Sequence, residues 1–139
     1  MMPAAKKGTS RGAPPISFSF IHGTSLVVIP AFVNERGPYR FLLDTGASHS
    51  ALSIDVADQL NIPTRGTGSL ITAGGSVPVT IRTIEVFRMG EIRIMQAQIA
   101  VADFDLLRTL QVDGIVGSDY LKRFRIAIDY TRQVLIIKD

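Results

Sequence analysis

The longest β-rich section of the sequence, residues 64–103, limits the possible folds more than any other feature. Its many threonine, valine and isoleucine residues favour strands, and two short turn signals divide it. The segment Ala73-Gly74-Gly75 indicates the tip of a hairpin with mobile glycines, and a second turn is indicated at residues 89–90. Apolar residues alternate with polar and charged ones after the first turn, which is typical of strands with one buried face. The section therefore predicts antiparallel strands joined by hairpins.

Shorter β-type runs lie on both sides of this section. The predicted elements there are a hairpin or bent strand pair over residues 16–34 with its break at 22–24, a turn at 35–38, a strand over 39–44, a strand over 50–53, a helix over 54–60 with Ser53 as its N-cap, a short apolar strand before residue 118, a helix over 118–123, and a closing hairpin around 130–132. Short strands at regular spacing, with one or two short helices, predict an all-β domain built as a closed β-barrel or a sandwich.

Length and composition indicate a single globular domain. The chain has 139 residues, of which 46% are apolar and 19% charged, so it can bury a sizeable core. The N-terminal segment is basic and rich in proline and small residues, and it contains Lys6, Lys7 and Arg11. We interpret residues 1–15 as a disordered tail and residues 16–139 as the domain.

Several classes of function find no support in the composition. There is no cysteine, and the two histidines are His22 and His49, so we expect neither a metal site nor a cofactor. No run approaches the roughly 20 apolar residues of a membrane helix, and the N-terminus lacks the apolar core of a signal peptide. A cytoplasmic protein is therefore the default expectation. The tail supplies much of the net charge of +3, and no aromatic and basic platform is present, which argues against a nucleic-acid partner.

The stretch RFLLDTGASHSALS, residues 40–53, places an acid at the end of an apolar strand. Asp44 follows two leucines and precedes Thr45 and Gly46. By itself, an aspartate before Thr-Gly is explained by a turn in which the carboxylate bonds its own backbone. The flanks favour a different interpretation, because the buried strand end holds the acid and the small residues after it leave room for a ligand to approach.

The segment LLDTGAS, residues 42–48, resembles the active-site motif of the retropepsin-like aspartic proteases. That motif has two apolar residues, then Asp-Thr-Gly, Ala, and Ser or Thr. Further along, TAGGSVPV (residues 72–79) stands where the family has its flap, and DGIVGSDYLKRF (residues 113–124) is similar to the family's second signature. The three features follow in the family's order, and the resemblance spans residues 16–138. It implies a retropepsin-like β-barrel with a flap hairpin.

The resemblance implies a role for each matching residue. The implied residues are Asp44 as the catalytic acid; Thr45, Gly46, Ala47 and Ser48 as active-site support; Thr72, Ala73, Gly74 and Gly75 in the flap and substrate-binding region; and Ile115, Val116 and Gly117 beneath the active-site loop. The flap would fold over an extended peptide and exclude water. The peptide would lie as an added strand, with its alternate side chains in apolar pockets.

One chain supplies a single Asp-Thr-Gly. Aspartic proteases in general use two carboxylates about 3 Å apart that share one proton, because like charges so close cannot both ionise. One carboxylate activates a water, and the protonated one polarises the scissile carbonyl. The second acid has to come from another copy, which predicts a homodimer with Asp44 facing its symmetry mate. The expected function is that of an aspartic endopeptidase acting on an extended polypeptide.

Two features depart from the family pattern, and one alternative function stays open. Viral members have an Arg-Asn pair where SDYL, residues 118–121, stands here. The resemblance is therefore closer to cellular and bacterial single-domain relatives, and it does not extend to viral-style dimer contacts such as a sheet made from both chain ends. His49 is either a titrating neighbour of the acid pair or a surface turn residue. The alternative is a retropepsin-fold dimerisation or peptide-binding module without turnover, although such a module does not need the acid of DTGAS.

Overall fold

Eleven strands and three short helices lie within residues 13–138, the part of the chain that this computed structural model describes. The strands are β1 (Ile16–Ser17), β2 (Ser19–Phe20), β3 (Val27–Val33), β4 (Arg36–Leu43), β5 (Ala51–Ser53), β6 (Thr64–Thr72), β7 (Gly75–Met89), β8 (Ile92–Ala102), β9 (Gly114–Val116), β10 (Arg125–Asp129) and β11 (Val134–Lys138). The helices are α1 (Ile54–Gln59), α2 (Asp105–Leu110) and α3 (Ser118–Leu121). Of the predicted tail, residues 1–12 lie outside the described part, so the division into tail and domain stays a prediction.

Six of these strands form a closed barrel. Their order is β3-β4-β9-β5-β8-β7, and β7 closes the barrel by pairing with β3 at Phe87 and Arg88. The pairs β4–β9 and β5–β8 are parallel, whereas the others are antiparallel. β6 pairs with the first half of β7 to make a long hairpin that ends at residues 73–74. The prediction of an all-β closed barrel with a glycine-tipped hairpin is confirmed.

Apolar side chains from several strands fill the barrel. Ile29 on β3, Phe41 on β4, and Ile84 and Phe87 on β7 are 0% exposed. The ring of Phe87 contacts the rings of Phe41 and Tyr120, with centroid distances of 5.2 Å in both cases. Burying one such side chain contributes about 1.5–3 kcal/mol relative to leaving it in water. This packing fixes the position of β4 and therefore of the residue that follows it.

Gly114 allows β9 to lie beside β4 and β5 in the barrel wall. A Cβ atom at this position would lie 2.4 Å from the Phe41 ring and 2.6 Å from the carbonyl oxygen of Ala51. Neither neighbour can withdraw without opening the barrel, so the close approach of these strands requires glycine.

A separate three-stranded sheet joins the two ends of the described chain. β11 lies between β1 and β10, antiparallel to both, with Ile16 opposite Leu135. Leu135 is 0% exposed because this small sheet packs onto the barrel core. The first and last strands of the described chain therefore pair with each other within one copy.

The turn between β3 and β4 lies earlier than the predicted turn at residues 35–38. The loop is Asn34-Glu35, with φ of 51° and 61°, and residues 36–38 already belong to β4. Positive φ at both loop residues is typical of a type I′ turn, whose twist matches that of the strands. Asn34 is also held by β7, since its N–H donates to the Val86 carbonyl (2.9 Å) and its Oδ1 accepts from Val86 N–H (3.1 Å). The predicted position of the turn is wrong, because hydrogen bonds to a distant strand fix the turn and no local sequence pattern indicates them.

The helices agree with the sequence patterns in two cases out of the three described. Ser53 caps α1 as predicted, its Oγ accepting a hydrogen bond from the N–H of Val56 over 3.3 Å. α3 begins at Ser118 as predicted and is two residues shorter than expected. The pattern does not predict α2, because its N-cap, Phe104, makes no side-chain hydrogen bond and its C-cap is a left-handed Gln111 in place of the usual glycine. No helix within residues 13–138 is long and apolar enough to cross a membrane.

Candidate active site

Asp44 is the first residue after β4, at the end of the barrel where β4 and β9 run side by side. In this parallel pair Leu42 lies opposite Ile115 and Leu43 lies opposite Val116. Asp44 extends the pairing, because its N–H donates to the carbonyl oxygen of Val116 over 3.0 Å. The backbone of the acid is therefore held by β9, a distant part of the sequence, as well as by its own strand.

The Asp44 carboxylate is half-buried at the start of a loop, residues 44–50, that we call the Asp44 loop. Its Oδ1 accepts a hydrogen bond from Gly46 N–H (3.0 Å), and its carbonyl oxygen accepts one from Ala47 N–H (3.2 Å). The hydrogen bond from the loop backbone to the carboxylate, which the turn interpretation of Asp-Thr-Gly predicts, is thus present at Oδ1. Among the described residues, the second oxygen, Oδ2, takes no hydrogen bond and is available to a water, a substrate or a partner.

Residues 115–118 pack directly against the Asp44 loop. Val116 is 0% exposed. At Gly117, a Cβ atom would lie 2.7 Å from the carbonyl oxygen of Ala47 and 3.0 Å from that of His49. The next residue, Ser118, donates its N–H to the same Ala47 carbonyl over 2.7 Å. The two segments that carry the family motifs are therefore in contact, and a glycine is required where they touch.

A side-chain network that the motifs do not predict holds the far end of the Asp44 loop. Ser50 is 1% exposed, and its N–H and Oγ–H donate to Oδ2 and Oδ1 of Asp119 over 3.0 and 2.7 Å. The Ser50 Oγ also accepts a hydrogen bond from Gly117 N–H over 2.9 Å. Because 69 residues separate Ser50 from Asp119, no periodic or local pattern indicates the pair.

Ser48 and His49 are exposed residues of the same loop. The Oγ of Ser48 and the Nδ1 of His49 are 3.0 Å apart and share a hydrogen bond. Among the described residues, no hydrogen bond joins His49 to Asp44. The geometry therefore agrees better with an exposed turn histidine than with a direct neighbour of the acid.

The predicted flap corresponds to the tip of the β6–β7 hairpin. Ala73 and Gly74 form the turn, and the Oγ1 of Thr72 accepts from Gly74 N–H (3.2 Å) and donates to the Gly75 carbonyl (2.8 Å). Gly75 has a φ of 111°, which favours glycine. Ile71, next to the tip, is 91% exposed. Ile71 therefore gives the hairpin tip an exposed apolar surface.

A cavity of about 310 Å³ lies on another part of the surface, along β1, β3 and β4. Phe18, Ile29 and Tyr39 line it, and it includes none of the predicted site residues. It is therefore not the predicted cleft. Within the described ranges, no group of three or more His, Asp or Glu side chains is placed to hold a metal ion.

Comparisons with known proteins assign the family. A family model described as Aspartyl protease matches residues 29–120, which is well over half of the chain. The matched residues include the whole Asp44 loop, the β6–β7 hairpin and Asp119. A search of curated proteins found no significant match in sequence.

Solved structures of three proteins illustrate the shared fold. A retropepsin-like aspartic protease from Rickettsia conorii is 24% identical, with a TM-score of 0.65 over 90% of this chain and 89% of that one. EIAV protease, complexed with the inhibitor HBY-793, is 22% identical, with a TM-score of 0.59 over 76% of this chain and 92% of that one. The retroviral protease-like domain of Ddi1 from Leishmania major is 20% identical, with a TM-score of 0.58 over 84% and 90% of the two chains. The chain belongs to the aspartyl protease family, and its fold is that of the retropepsin-like aspartic proteases.

Proposed function

We propose that this chain is an aspartic endopeptidase that acts as a homodimer, with the Asp44 carboxylate of each copy at the two-fold axis. The observation that carries this proposal is the geometry of Asp44 in a chain of this family. The backbone of the residue is tied to β9, one carboxylate oxygen is held by Gly46, and the other is open. The substrate would be a polypeptide in an extended conformation.

The other acids of the described chain are engaged elsewhere or lie on other surfaces. Their partners are the N–H of Arg40 for Asp113, Ser50 for Asp119, Arg82 for Asp58, Arg108 for both Asp103 and Asp105, Arg132 for Asp129, and Arg88 and Arg93 for Glu35. Asp55, Glu85 and Glu91 are exposed on α1, on β7 and in the turn after β7. A pair of carboxylates therefore needs a second copy, and a symmetric dimer provides the same residue twice.

The reaction needs one ionised and one protonated carboxylate. The ionised Asp44 takes a proton from a water as the water oxygen adds to the scissile carbonyl carbon. The protonated carboxyl of the partner's Asp44 donates a hydrogen bond to the carbonyl oxygen, where negative charge develops. A proton then passes from a carboxyl group to the amide nitrogen of the tetrahedral intermediate, and the C–N bond breaks to give a free amine and a carboxylic acid.

Thr45 and Gly46 have properties that suit an acid facing a partner and a substrate. Thr45 is exposed beside Asp44, so its hydroxyl can reach the backbone of the second copy, as the resemblance implies. A Cβ atom at Gly46 would lie 3.4 Å from Oδ1 of Asp44 and would narrow the approach to the carboxylate. A glycine therefore keeps the acid accessible.

The β6–β7 hairpin is the proposed cover for the bound peptide. Its tip is a short turn with a glycine at positive φ, and few contacts with the barrel restrain it, since nearly every residue of β6 is exposed. A peptide lying as an added strand beneath the hairpin would present alternate side chains to apolar surfaces such as Ile71. Closure of the hairpin would exclude bulk water from the acid pair.

The decisive test is Asp44→Asn. The amide keeps the size of the side chain and one oxygen to accept from Gly46 N–H, but it cannot ionise. Wild type and variant are compared on an unfolded protein substrate from acidic to neutral pH, with Asp55→Asn as a matched control on exposed α1. We expect cleavage by wild type and the control, no cleavage by Asp44→Asn, and a dimer in sedimentation for all three proteins.

Three outcomes would contradict this function. Equal cleavage by Asp44→Asn would remove the acid from the mechanism. A wild type that binds peptide but cleaves nothing at any pH would support the module without turnover. A wild type that stays monomeric at high concentration would leave Asp44 without a second carboxylate.

A further inference from the structure

Asp119 is an acid that the proposed reaction does not use, yet its carboxylate accepts three hydrogen bonds. Two come from Ser50, through N–H to Oδ2 (3.0 Å) and Oγ–H to Oδ1 (2.7 Å). The third comes from the N–H of Tyr120 to Oδ1 (2.9 Å). Ser50 is 1% exposed, so this carboxylate reaches into the protein to hold the last residue of the Asp44 loop.

The Asp44 loop is attached to residues 116–119 at three places. At its start, Asp44 N–H bonds the Val116 carbonyl, and at its middle the Ala47 carbonyl accepts from Ser118 N–H. Both of these are backbone bonds, which every residue except proline can make at those positions. The third attachment, at the end of the loop, is made by side chains, so the sequence at Ser50 and Asp119 decides whether it exists.

We propose that Asp119 is a positioning residue for Asp44: through Ser50, its carboxylate fixes the end of the Asp44 loop and thereby the place of the acid. This inference rests on the proposed function. A carboxylate suits the task because its two oxygens accept the N–H and the Oγ–H of Ser50 together. The Ser50 Oγ, oriented in this way, accepts in turn from Gly117 N–H, which lies where the two segments touch.

Loss of Asp119 would leave the N–H and Oγ–H of Ser50 without their partner in a buried place. Because buried polar groups left unpaired are costly, the loop end would shift toward water to regain hydrogen bonds. Since a misplacement of about 1 Å at a catalytic group can cost on the order of 100-fold in rate, the shift would appear mainly in kcat. Peptide contacts of the flap are made elsewhere, so KM would change little.

The test compares Asp119→Ala, Asp119→Asn, Ser50→Ala and the double variant Ser50→Ala/Asp119→Ala with wild type. Asp58→Ala is the control, because Asp58 also bonds a buried side chain, that of Arg82, but touches no part of the Asp44 loop. Rates are measured well below the thermal midpoint of the least stable variant, with the dimer verified by sedimentation. Hydrogen exchange of the amides of Gly46 and Ala47, which bond Asp44, reports the loop without any need for catalysis.

We expect kcat of Asp119→Ala to fall by about 10- to 100-fold with KM within about twofold, and the two amides to exchange faster. Asp119→Asn retains more activity, because its amide oxygen accepts from Ser50 N–H and its N–H can donate to Ser50 Oγ. The double variant loses no more than the worse single variant, since the two residues act as one unit. Asp58→Ala keeps the kcat of wild type.

The proposal is overturned if folded, dimeric Asp119→Ala keeps the kcat of wild type, or if Asp58→Ala loses as much kcat as Asp119→Ala. A wild type that fails to cleave refutes the proposed function separately. In that case hydrogen exchange decides the present inference: faster exchange at Gly46 and Ala47 in Asp119→Ala supports it, and unchanged exchange overturns it.

Discussion

The N–H of Asp44 donates to the carbonyl oxygen of Val116 over 3.0 Å, so the proposed catalytic acid is an extension of the β4–β9 pair. The next residue after Val116 is Gly117, which has no room for a side chain against the Asp44 loop. The acid is therefore sensitive to the packing of a segment that does no chemistry.

Gly117→Ala should disturb both stability and catalysis. The added Cβ would lie 2.7 Å from the Ala47 oxygen and 3.0 Å from the His49 oxygen, which are backbone atoms that move only with the loop. Overpacking of this kind costs about 1–3 kcal/mol in the free energy of unfolding, measured by urea titration. Gly66→Ala is the control, because nothing lies within 4 Å of its Cβ. Equal unfolding free energies for the two variants would contradict the close contact.

Ile71→Ser tests the contact between the flap and the substrate. Because Ile71 is 91% exposed, its loss should change the free energy of unfolding by no more than about 0.5 kcal/mol. If a bound peptide buries this side chain, its removal forfeits about 1.5–3 kcal/mol of binding, so KM for a peptide should rise by roughly tenfold or more. Leu26→Ser, at a 41% exposed residue in the β2–β3 turn, should leave KM unchanged. Equal KM values for all three proteins would place Ile71 outside the substrate site.

Tyr120 should make the protein lose stability at alkaline pH. Burial raises the pKa of Tyr120, with the charge of Asp119 adding to the rise and that of Arg123 opposing it. As the pH rises, the unfolded chain therefore loses the Tyr120 proton at a lower pH than the folded protein does. The contribution of this group to the free energy of unfolding is complete below about pH 10 and declines as the pH rises further. Tyr120→Phe should show a shallower decline of the unfolding free energy above about pH 10. At neutral pH it should lose about 1 kcal/mol, because the hydroxyl donates to the Gln98 carbonyl over 2.8 Å.

The control for this comparison is Tyr130→Phe, at a tyrosine that is 54% exposed. Unfolding is followed by urea titration at several pH values between 7 and 11 for the three proteins. Tyr130→Phe should decline in parallel with wild type. A parallel decline for Tyr120→Phe as well would show that the buried hydroxyl does not cause the loss.

Local patterns in the sequence predict most of the elements that place Asp44. The apolar run before Asp44, the glycines at residues 74–75 and the Ser53 cap are short-range signals whose physical causes act within a few residues. For that reason the flap turn and the start of α1 lie where the sequence predicts them, and β4 ends within one residue of its predicted end although it begins three residues earlier. The two motif segments, and the position of residues 115–117 beneath the Asp44 loop, also follow from the sequence as what the resemblance implies.

The sequence patterns fail where a distant part of the chain determines the local secondary structure. The β3–β4 turn is displaced to Asn34 because Val86 on β7 bonds its backbone and its amide. α2 forms without a side-chain cap, and buried Leu107 holds it against Val28, Leu42 and Val112. In each case tertiary packing or hydrogen bonding outweighs a weak local preference, and neither is visible in a window of sequence.

The all-β class and the single Asp-Thr-Gly at a strand end follow from the sequence, because periodicity, turn residues and motif order are properties of the linear chain. The contacts that hold this acid in place arise from the three-dimensional fold. The bond from Asp44 to Val116, the fit of Gly117 against Ala47 and the Ser50–Asp119 network all join segments far apart in the sequence. β9 brings these segments together, since it pairs with β4 on one side and with β5 on the other.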